Sequence, residues 1–567
     1  MAIEAGAARF LEIAGNIIDR AYGAGIVANG AWGQNPLREE IPFLRSFIHH
    51  NKITNCLLHT SDWGGIDIYR VGGAVYNNIV YNPVGQWFWS YRQHEKIRKD
   101  STKPPTVETL GMAYYLNGPG AMNYCLFNNV AWGRTTDAND PAVNYLGLMS
   151  AKPLNSFVNN TVYNFTCGAL LTRNNVPCLL GNLFVDTTTA IKTDLKHDEP
   201  EAFARSHWNG TIIARNMAIG QVGLVWRFVD YVPLVTIDNV RSYLAPFQPV
   251  DGSIGLQVAK APSFRNAGAG DFRLVPGSPA IGAGVRPFLP WRLMYEVGVW
   301  RFHADPSDPK RIRDEHFLIT EEWPARLDRD EQARHDLVWQ GDSAMKFVPG
   351  PLEDWTDSAL ALDGKAGFCA IGQPQLQKEI KDEKTGKVLV AGTARRTADM
   401  GENNFLVEAY FSTAAGQKSG VIVSKGNGYS LDLDPAGNPR FSLQGADAKG
   451  SRAAAVAVND GQWYHVIAEA DRSDAQGIHL YVDGKLCDGA WTGAMPKGSL
   501  QNADDLVVGK GVSGAIAFLR ISQGTLRDAE TTIGELYAWE FDGPFLRDFM
   551  GVKPVGKRDA GAFQHAD

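Results

Sequence analysis

The chain has 567 residues, enough for two or three domains with substantial cores. Its net charge of -7 argues against a nucleic-acid partner, and no run of 18 apolar residues marks a membrane span. Six cysteines without a CxxC pair give no zinc or redox motif, and cysteines packed singly among apolar residues are expected.

The amino end, "MAIEAGAARFLEIAGNIIDRAYGAGI", lacks a basic, apolar and small-residue leader pattern. It opens almost at once on strand-like residues. The expectation is a piece of a longer secreted protein, with its signal upstream and other modules attached.

From residue 14 a phrase recurs: "AGNIIDRAYG" (14–23), "VYNNIVYNP" (75–83), "LFNNVAWG" (126–133), "FVNNTVYNF" (157–165), "LGNLFVD" (180–186), "ARNMAIG" (214–220) and "TIDNVRS" (236–242). Asn78, Asn129, Asn160, Asn182, Asn216 and Asn239 head the later copies, at separations of 51, 31, 22, 34 and 23 residues. The shortest separations suit a coil of three short strands. The longer ones suit the same coil with a loop inserted, which together predict a parallel β-helix. In stacked coils about 4.8 Å apart, each corner asparagine accepts left-handed geometry and bonds its equivalents above and below in a buried ladder.

Two segments within the repeats carry candidate chemistry. In "HTSDWGGIDIYR" (59–70), strand alternation places Asp67 and Tyr69 on one face and Ile66, Ile68 and Arg70 on the other. Asp62 and Asp67 form a candidate carboxylate pair for glycoside hydrolysis. In "NPVGQWFWSYRQHEKIRKD" (82–100), Trp87, Trp89, Tyr91 and Arg92 lie in the longest insertion. Aromatic faces there, with Trp63, Tyr69 and Arg70 one coil earlier, are expected to stack sugar rings.

The segment "PSFRNAGAGDFRLVPGSPAIGAG" (262–284) resembles the ending of right-handed parallel β-helix proteins of the pectate-lyase-like superfamily, with "YEVGVWRF" (295–302) as a closing strand. "DWGGIDIYRVGGAVYNNIVYN" and "GMAYYLNGPGAMNYCLFNNVAWG" resemble its coils. The resemblance covers about half the chain and implies a groove for polysaccharide. Many relatives end a strand at that groove with "YLD". Here the phrase is "YYLNGPG", so Asn117 stands where an acid is implied, and a neutral amide binds a hydroxyl without donating a proton to a leaving group.

Residues 303–344 are rich in both charges, with scattered Trp and Leu. They read either as an ordered connector wrapped on a neighbour or as a solvated linker. Beyond them, "NNFLVEAYFS" (404–412 region), "YSLDLDPAGNPRFSLQG", "GQWYHVIAEAD" and "GIHLYVDGKLCDG" alternate apolar and polar residues between turns, which predicts an antiparallel sandwich. The pair "DGQWYHV" and "LYVDGK" resembles the laminin G-like, or concanavalin A-like, jelly-roll domain of secreted carbohydrate-active proteins. That resemblance implies Trp463 in the core and a hairpin turn at Asp483–Gly484. Asp432, Asp434, Asp504 and Asp505 are candidates for calcium, although no calcium motif is recognised and no cofactor or metal is expected.

The expected architecture is all-β: a right-handed parallel β-helix (1–302), a connector (303–344), a laminin G-like sandwich (345–550) and a tail (551–567). The expected function is carbohydrate binding within a secreted polysaccharide-degrading protein, with xylan the first choice of plant cell-wall ligand. A glycoside hydrolase or polysaccharide lyase, the former preferred, is the alternative, and a surface adhesin the second.

Overall fold

The structure is a computed structural model. It describes residues 1–6, 10–30, 45–60, 63–70, 72–85, 111–116, 124–134, 145–150, 155–172, 178–193, 212–227, 233–234, 256–259, 264–293, 295–305, 308–315, 319–320, 335–365, 367–370, 380–381, 388–390 and 398–565. The described residues form two compact units, 1–30, 45–287 and 544–565 in one and 288–543 in the other.

In the first unit, successive strands fall in turn into three sheets of nine, seven and eight strands. The pairing between coils is parallel, as in Gly111–Leu116 against Trp63–Tyr69 and Leu146–Ser150. Successive coils thus add strands to the three sheets in turn, which is a parallel β-helix, and Pro233–Leu234 ends the first sheet antiparallel to its neighbour. Its interior is filled by stacked aliphatic and aromatic side chains, among them Ile26, Ile66, Tyr114, Leu148, Ala169 and Ile191. Gly65 is required at its interior position: a Cβ there would lie 2.5 Å from Val80 Cγ1.

The asparagine ladder runs from Asn16 through Asn51, Asn78, Asn129, Asn160 and Asn182 to Asn216. At each step the backbone N–H and side-chain amide of one residue both donate to Oδ1 of the next, over 2.9–3.1 Å. Asn239 lies outside the described residues. The left-handed geometry falls to the preceding residue and not to the ladder asparagine: His50, Asn77, Asn128 and Asn159 have φ of 53°, 53°, 54° and 49°. The repeated Asn-Asn therefore divides the work, the first residue turning the corner and the second bonding along the stack.

Two of the corner asparagines also hold later parts of the chain. Asn159 Nδ2 donates to the Val285 carbonyl (2.8 Å) and Asn128 Nδ2 to that of Arg547 (2.7 Å), while Arg558 donates to Asn128 Oδ1 (2.9 Å). Phe272, Phe549 and Phe563 cover the outer face of the third sheet around Val130 and Trp132. Residues 544–565 pack with the β-helix.

The second unit is a sandwich of an eight-stranded and a nine-stranded sheet, antiparallel throughout. Phe405, Val407, Leu431, Phe441, Val466 and Leu480 meet between the sheets. Tyr295–Arg301, expected to close the β-helix, instead pairs antiparallel with Ser513–Gln523, because Val297 and Trp300 of this strand belong to the sandwich core. The charged segment after it contributes Arg311–Ile312 and Leu337–Trp339 to the second sheet. Its Glu315 pairs with Arg301 at 3.0 Å, both buried. The Asp483–Gly484 turn has two positive φ angles, 47° and 75°, as a tight hairpin requires. Trp463 departs from the expectation. It lies half-buried on the other face of its sheet, against Ala359, Ala515 and Ala517, because strand alternation sends Val466 and Ala468 into the core.

A ten-residue helix, Ile533–Asp542, packs on that outer face; no helix was expected there. Thr532 and Glu535 form a capping box at its start, and Leu536 and Glu540 are buried.

Candidate functional site

The strand Trp63–Tyr69 lies between Ile26–Asn29 and Gly111–Leu116 in the first sheet. Ile66 and Ile68 enter the interior, which leaves Asp67 and Tyr69 on the outer face. Trp63 and Tyr69 are half-buried. Their rings lie 6.2 Å apart, inclined by 60°. Register extends this face across coils, with Asp67 beside Tyr115, then Met149, Leu170 and Lys192. Four steps at the sheet spacing make a row of roughly 19 Å. Tyr145 borders the row: its hydroxyl accepts from Lys192 Nζ at 3.1 Å.

Burial separates the candidates on this strand. Asp67 is 0% exposed, and its Oδ2 accepts the Gly64 N–H at 3.0 Å. Its carboxylate is spent on local structure and is not presented at the surface. Arg70, expected to contact ligand, is 1% exposed, because it falls on the interior side of the alternation. Burial holds its guanidinium below the usual range, opposed by Tyr124. Neither side chain is presented at the surface. Asp62, Trp87, Trp89, Tyr91, Arg92 and Asn117 lie outside the described residues.

One aromatic pair was missed from the sequence. Tyr22 and His59, both exposed at the corner leading into the first sheet, have ring centroids 4.7 Å apart. The signal available was Tyr22 inside "DRAYGAG", a repeat of the corner that later carries His59.

Among the described residues, Glu408, His465 and Glu540 form the one cluster of three potential metal ligands, their ligand atoms within 4.8 Å. A cation already sits there. Arg520 Nε donates to Glu408 Oε2 (2.7 Å), and its Nη2 to Glu540 Oε1 (2.9 Å). His465 bonds Glu408 Oε1 at 2.7 Å and Tyr537 at 2.6 Å. Burial opposes ionisation of Glu408, but Arg520 and the bond from His465 prevail and bring it down to about 2. Burial and the charge of Glu408 push Glu540 well above the usual carboxylate range. Arg520 thus fills the centre of the cluster, and the three side chains close around it in one buried hydrogen-bonded network. Of the calcium candidates, Asp432 pairs with Arg440 at 2.8 Å, and Asp434 accepts from Ala436 and Asn438 within its own turn. All six cysteines are free thiols.

Residues 387–531 match the family model of the concanavalin A-like lectin/glucanases superfamily. The second unit carries a laminin G-like domain. Its two antiparallel sheets and the Asp483–Gly484 hairpin are the structural side of that match. No curated protein matches the chain in sequence. Among solved structures, it is similar to the binding domain of Paraclostridial Mosquitocidal Protein 1: 13% identity, TM-score 0.29, 46% of this chain and 55% of that one. It is also similar to the Ruminococcus gnavus IT-sialidase CBM40: 18% identity, TM-score 0.20, covering 24% and 84%. A third is domain 4 of an extracellular arabinanase from Geobacillus stearothermophilus in complex with arabinotriose: 13%, TM-score 0.23, covering 35% and 82%. The chain spans about half the length of the toxin binding domains it matches. At such identities and scores no ligand is carried over from them. Among the described residues no helix is long and apolar enough to cross a membrane.

Proposed function

We propose that this chain is a noncatalytic carbohydrate-binding protein that takes an extended polysaccharide on the outer face of the first β-helix sheet. The carrying observation is the half-exposed Trp63–Tyr69 pair, set at the edge of a laddered row, with the Asp67 carboxylate of the same strand buried. Sugar rings offer apolar faces to such aromatics, and a row of stacked coils presents contacts at a regular spacing along an extended chain. Hydrolysis needs two accessible carboxyl groups at a defined separation, and a fully buried Asp67 does not supply one. A plant cell-wall polysaccharide such as xylan, met outside the cell as part of a polysaccharide-degrading system, is the ligand and setting we favour.

Truncating an aromatic that stacks on a sugar removes apolar contact worth on the order of 1–3 kcal/mol. Trp63→Ala and Tyr69→Ala are each expected to weaken retention in an affinity gel by about 5- to 150-fold. Asp67→Asn keeps an acceptor for the Gly64 N–H and is expected to leave retention unchanged. Unaltered retention of both aromatic variants sinks this site. Loss of turnover in Asp67→Asn, with retention intact, replaces the binding reading by the hydrolase reading.

A further inference from the structure

On the second sheet, away from the face just described, two adjacent histidines are arranged as metal ligands. His49 closes the strand Arg45–His49 and His50 turns the corner in left-handed geometry, φ 53°. Their Nδ1 atoms lie 2.8 Å apart. His49 is stacked on Tyr76, with centroids 4.7 Å apart and planes 10° apart, and Tyr76 is stacked in turn on Phe127. His50 meets the edge of Tyr76. The two rings are therefore held by packing, while His50 remains exposed and His49 keeps 15% of its side chain open.

The far nitrogens are also provided for. His49 Nε2 lies 3.0 Å from Glu12 Oε1, and His50 Nε2 lies 3.3 Å from the Asn77 amide. As oriented, the amide donates to His50, His50 donates to His49, and His49 donates to Glu12. That arrangement leaves Asn77 Oδ1 buried and, among the described residues, without a donor; Asn77 is 5% exposed. Turning the amide over, a change of almost no shape, gives Oδ1 the Nε2–H of His50 and moves the amide N–H donors to the enclosed side. Both Nδ1 atoms then carry lone pairs facing each other, a repulsion that a cation between them resolves.

We propose that His49 and His50 bind a divalent zinc-like ion through their Nδ1 atoms. Glu12 and Asn77 hold the outer N–H groups, as carboxylate and carbonyl partners do for metal-bound imidazoles. At a Zn–N distance of about 2.0–2.1 Å and a tetrahedral angle, the nitrogens stand roughly 3.3 Å apart, so the rings part by roughly 0.5 Å. The exposed side leaves further positions for water.

The repeat itself supplies the control. The coil positions equivalent to His50 are Asn77, Asn128 and Asn159, all with positive φ, and those equivalent to His49 are Tyr76 and Phe127. The double variant His49→Phe/His50→Asn thus keeps both the stack and the turn. The test is equilibrium dialysis of the untagged full chain against Zn²⁺ alone, with the melting temperature of each protein measured in parallel. The wild type is expected to hold one ion more than the double variant, and Glu12→Gln to hold it about tenfold more weakly. Equal zinc uptake by the wild type and the folded double variant, or uptake unchanged in Glu12→Gln, overturns the assignment.

Discussion

Replacing Asn129 with alanine removes one rung from the middle of the ladder, and its cost follows from the bonds lost. Asn129 Oδ1 accepts the Asn78 N–H (3.1 Å) and the Asn78 side-chain amide (3.0 Å). Its Nδ2 donates to the Val75 carbonyl (2.8 Å) and to Asn160 Oδ1 (3.0 Å). Three of the four partners are covered elsewhere. The Asn78 amide still reaches the carbonyls of Ile48 and Tyr76, and Asn160 Oδ1 still receives the Asn129 N–H. The Asn78 N–H is left buried without its partner, at about 1–3 kcal/mol, while the Val75 carbonyl keeps its place in the parallel ladder and loses only its second contact. Such a loss is a sizeable part of the 5–15 kcal/mol typical of a domain. For a unit of this size it lowers the melting temperature by roughly 2–5 °C. The assay is a thermal melt of the full chain by circular dichroism or calorimetry. Asn128→Gly is the companion variant: it keeps the positive-φ turn and removes only the bonds to Arg547 and Arg558, so it should lose less. A melt of Asn129→Ala within 1 °C of wild type, or a smaller loss than Asn128→Gly, refutes the assignment of ladder and turn to different asparagines.

Other outcomes follow from the second unit and the coil interior. Arg520→Met leaves the buried Glu408 charge uncompensated and should cost about 3–5 kcal/mol in urea unfolding of the full chain. Burial and the Glu408 charge raise the Glu540 carboxyl well above the usual range when folded. Its contribution to stability therefore falls as pH rises above about 4.5, and Glu540→Gln should lessen that fall. Glu408 acts in the opposite sense: its stabilisation is present above about pH 4.5 and is lost as pH falls toward about 2. Burial pushes the Cys56 thiol up to about 12, so it should resist a thiol reagent at pH 8 in the native chain and react on denaturation.

The β-helix was legible because its period is written in one residue type. An asparagine satisfied only by its copies on neighbouring coils must recur once per coil, and insertions between coils leave the phrase intact. Asn51 was overlooked because "HHNKIT" replaces the first asparagine of the pair with a histidine, although the ladder residue is unchanged. The sandwich was legible from alternation and from the Asp-Gly turn. Boundaries were not: "YEVGVWRF" has strand character in any context, and nothing local says which unit receives it. Nor does composition reveal that residues 544–565 return to the β-helix, since that depends on the Asn128 amide and the Thr161 hydroxyl more than 400 residues earlier. At the candidate site, alternation gave the facing of Asp67 and Tyr69 correctly. It could not give depth, and depth is what removes Asp67 and Arg70 from the surface. The helix at Ile533–Asp542 had a readable start in its capping box, overlooked beside the strong strand signals around it.

The central claim is that polysaccharide is bound and left uncut. One panel of soluble plant polysaccharides, xylans included, tests it when affinity-gel retention, reducing ends and unsaturated products are all measured for the wild-type chain. The account predicts retarded migration on at least one polysaccharide, weakened by Trp63→Ala and by Tyr69→Ala, with no new reducing ends and no unsaturated product. Release of either product from a retained polysaccharide contradicts the claim that the site only binds, and absence of retention across the panel contradicts the site itself.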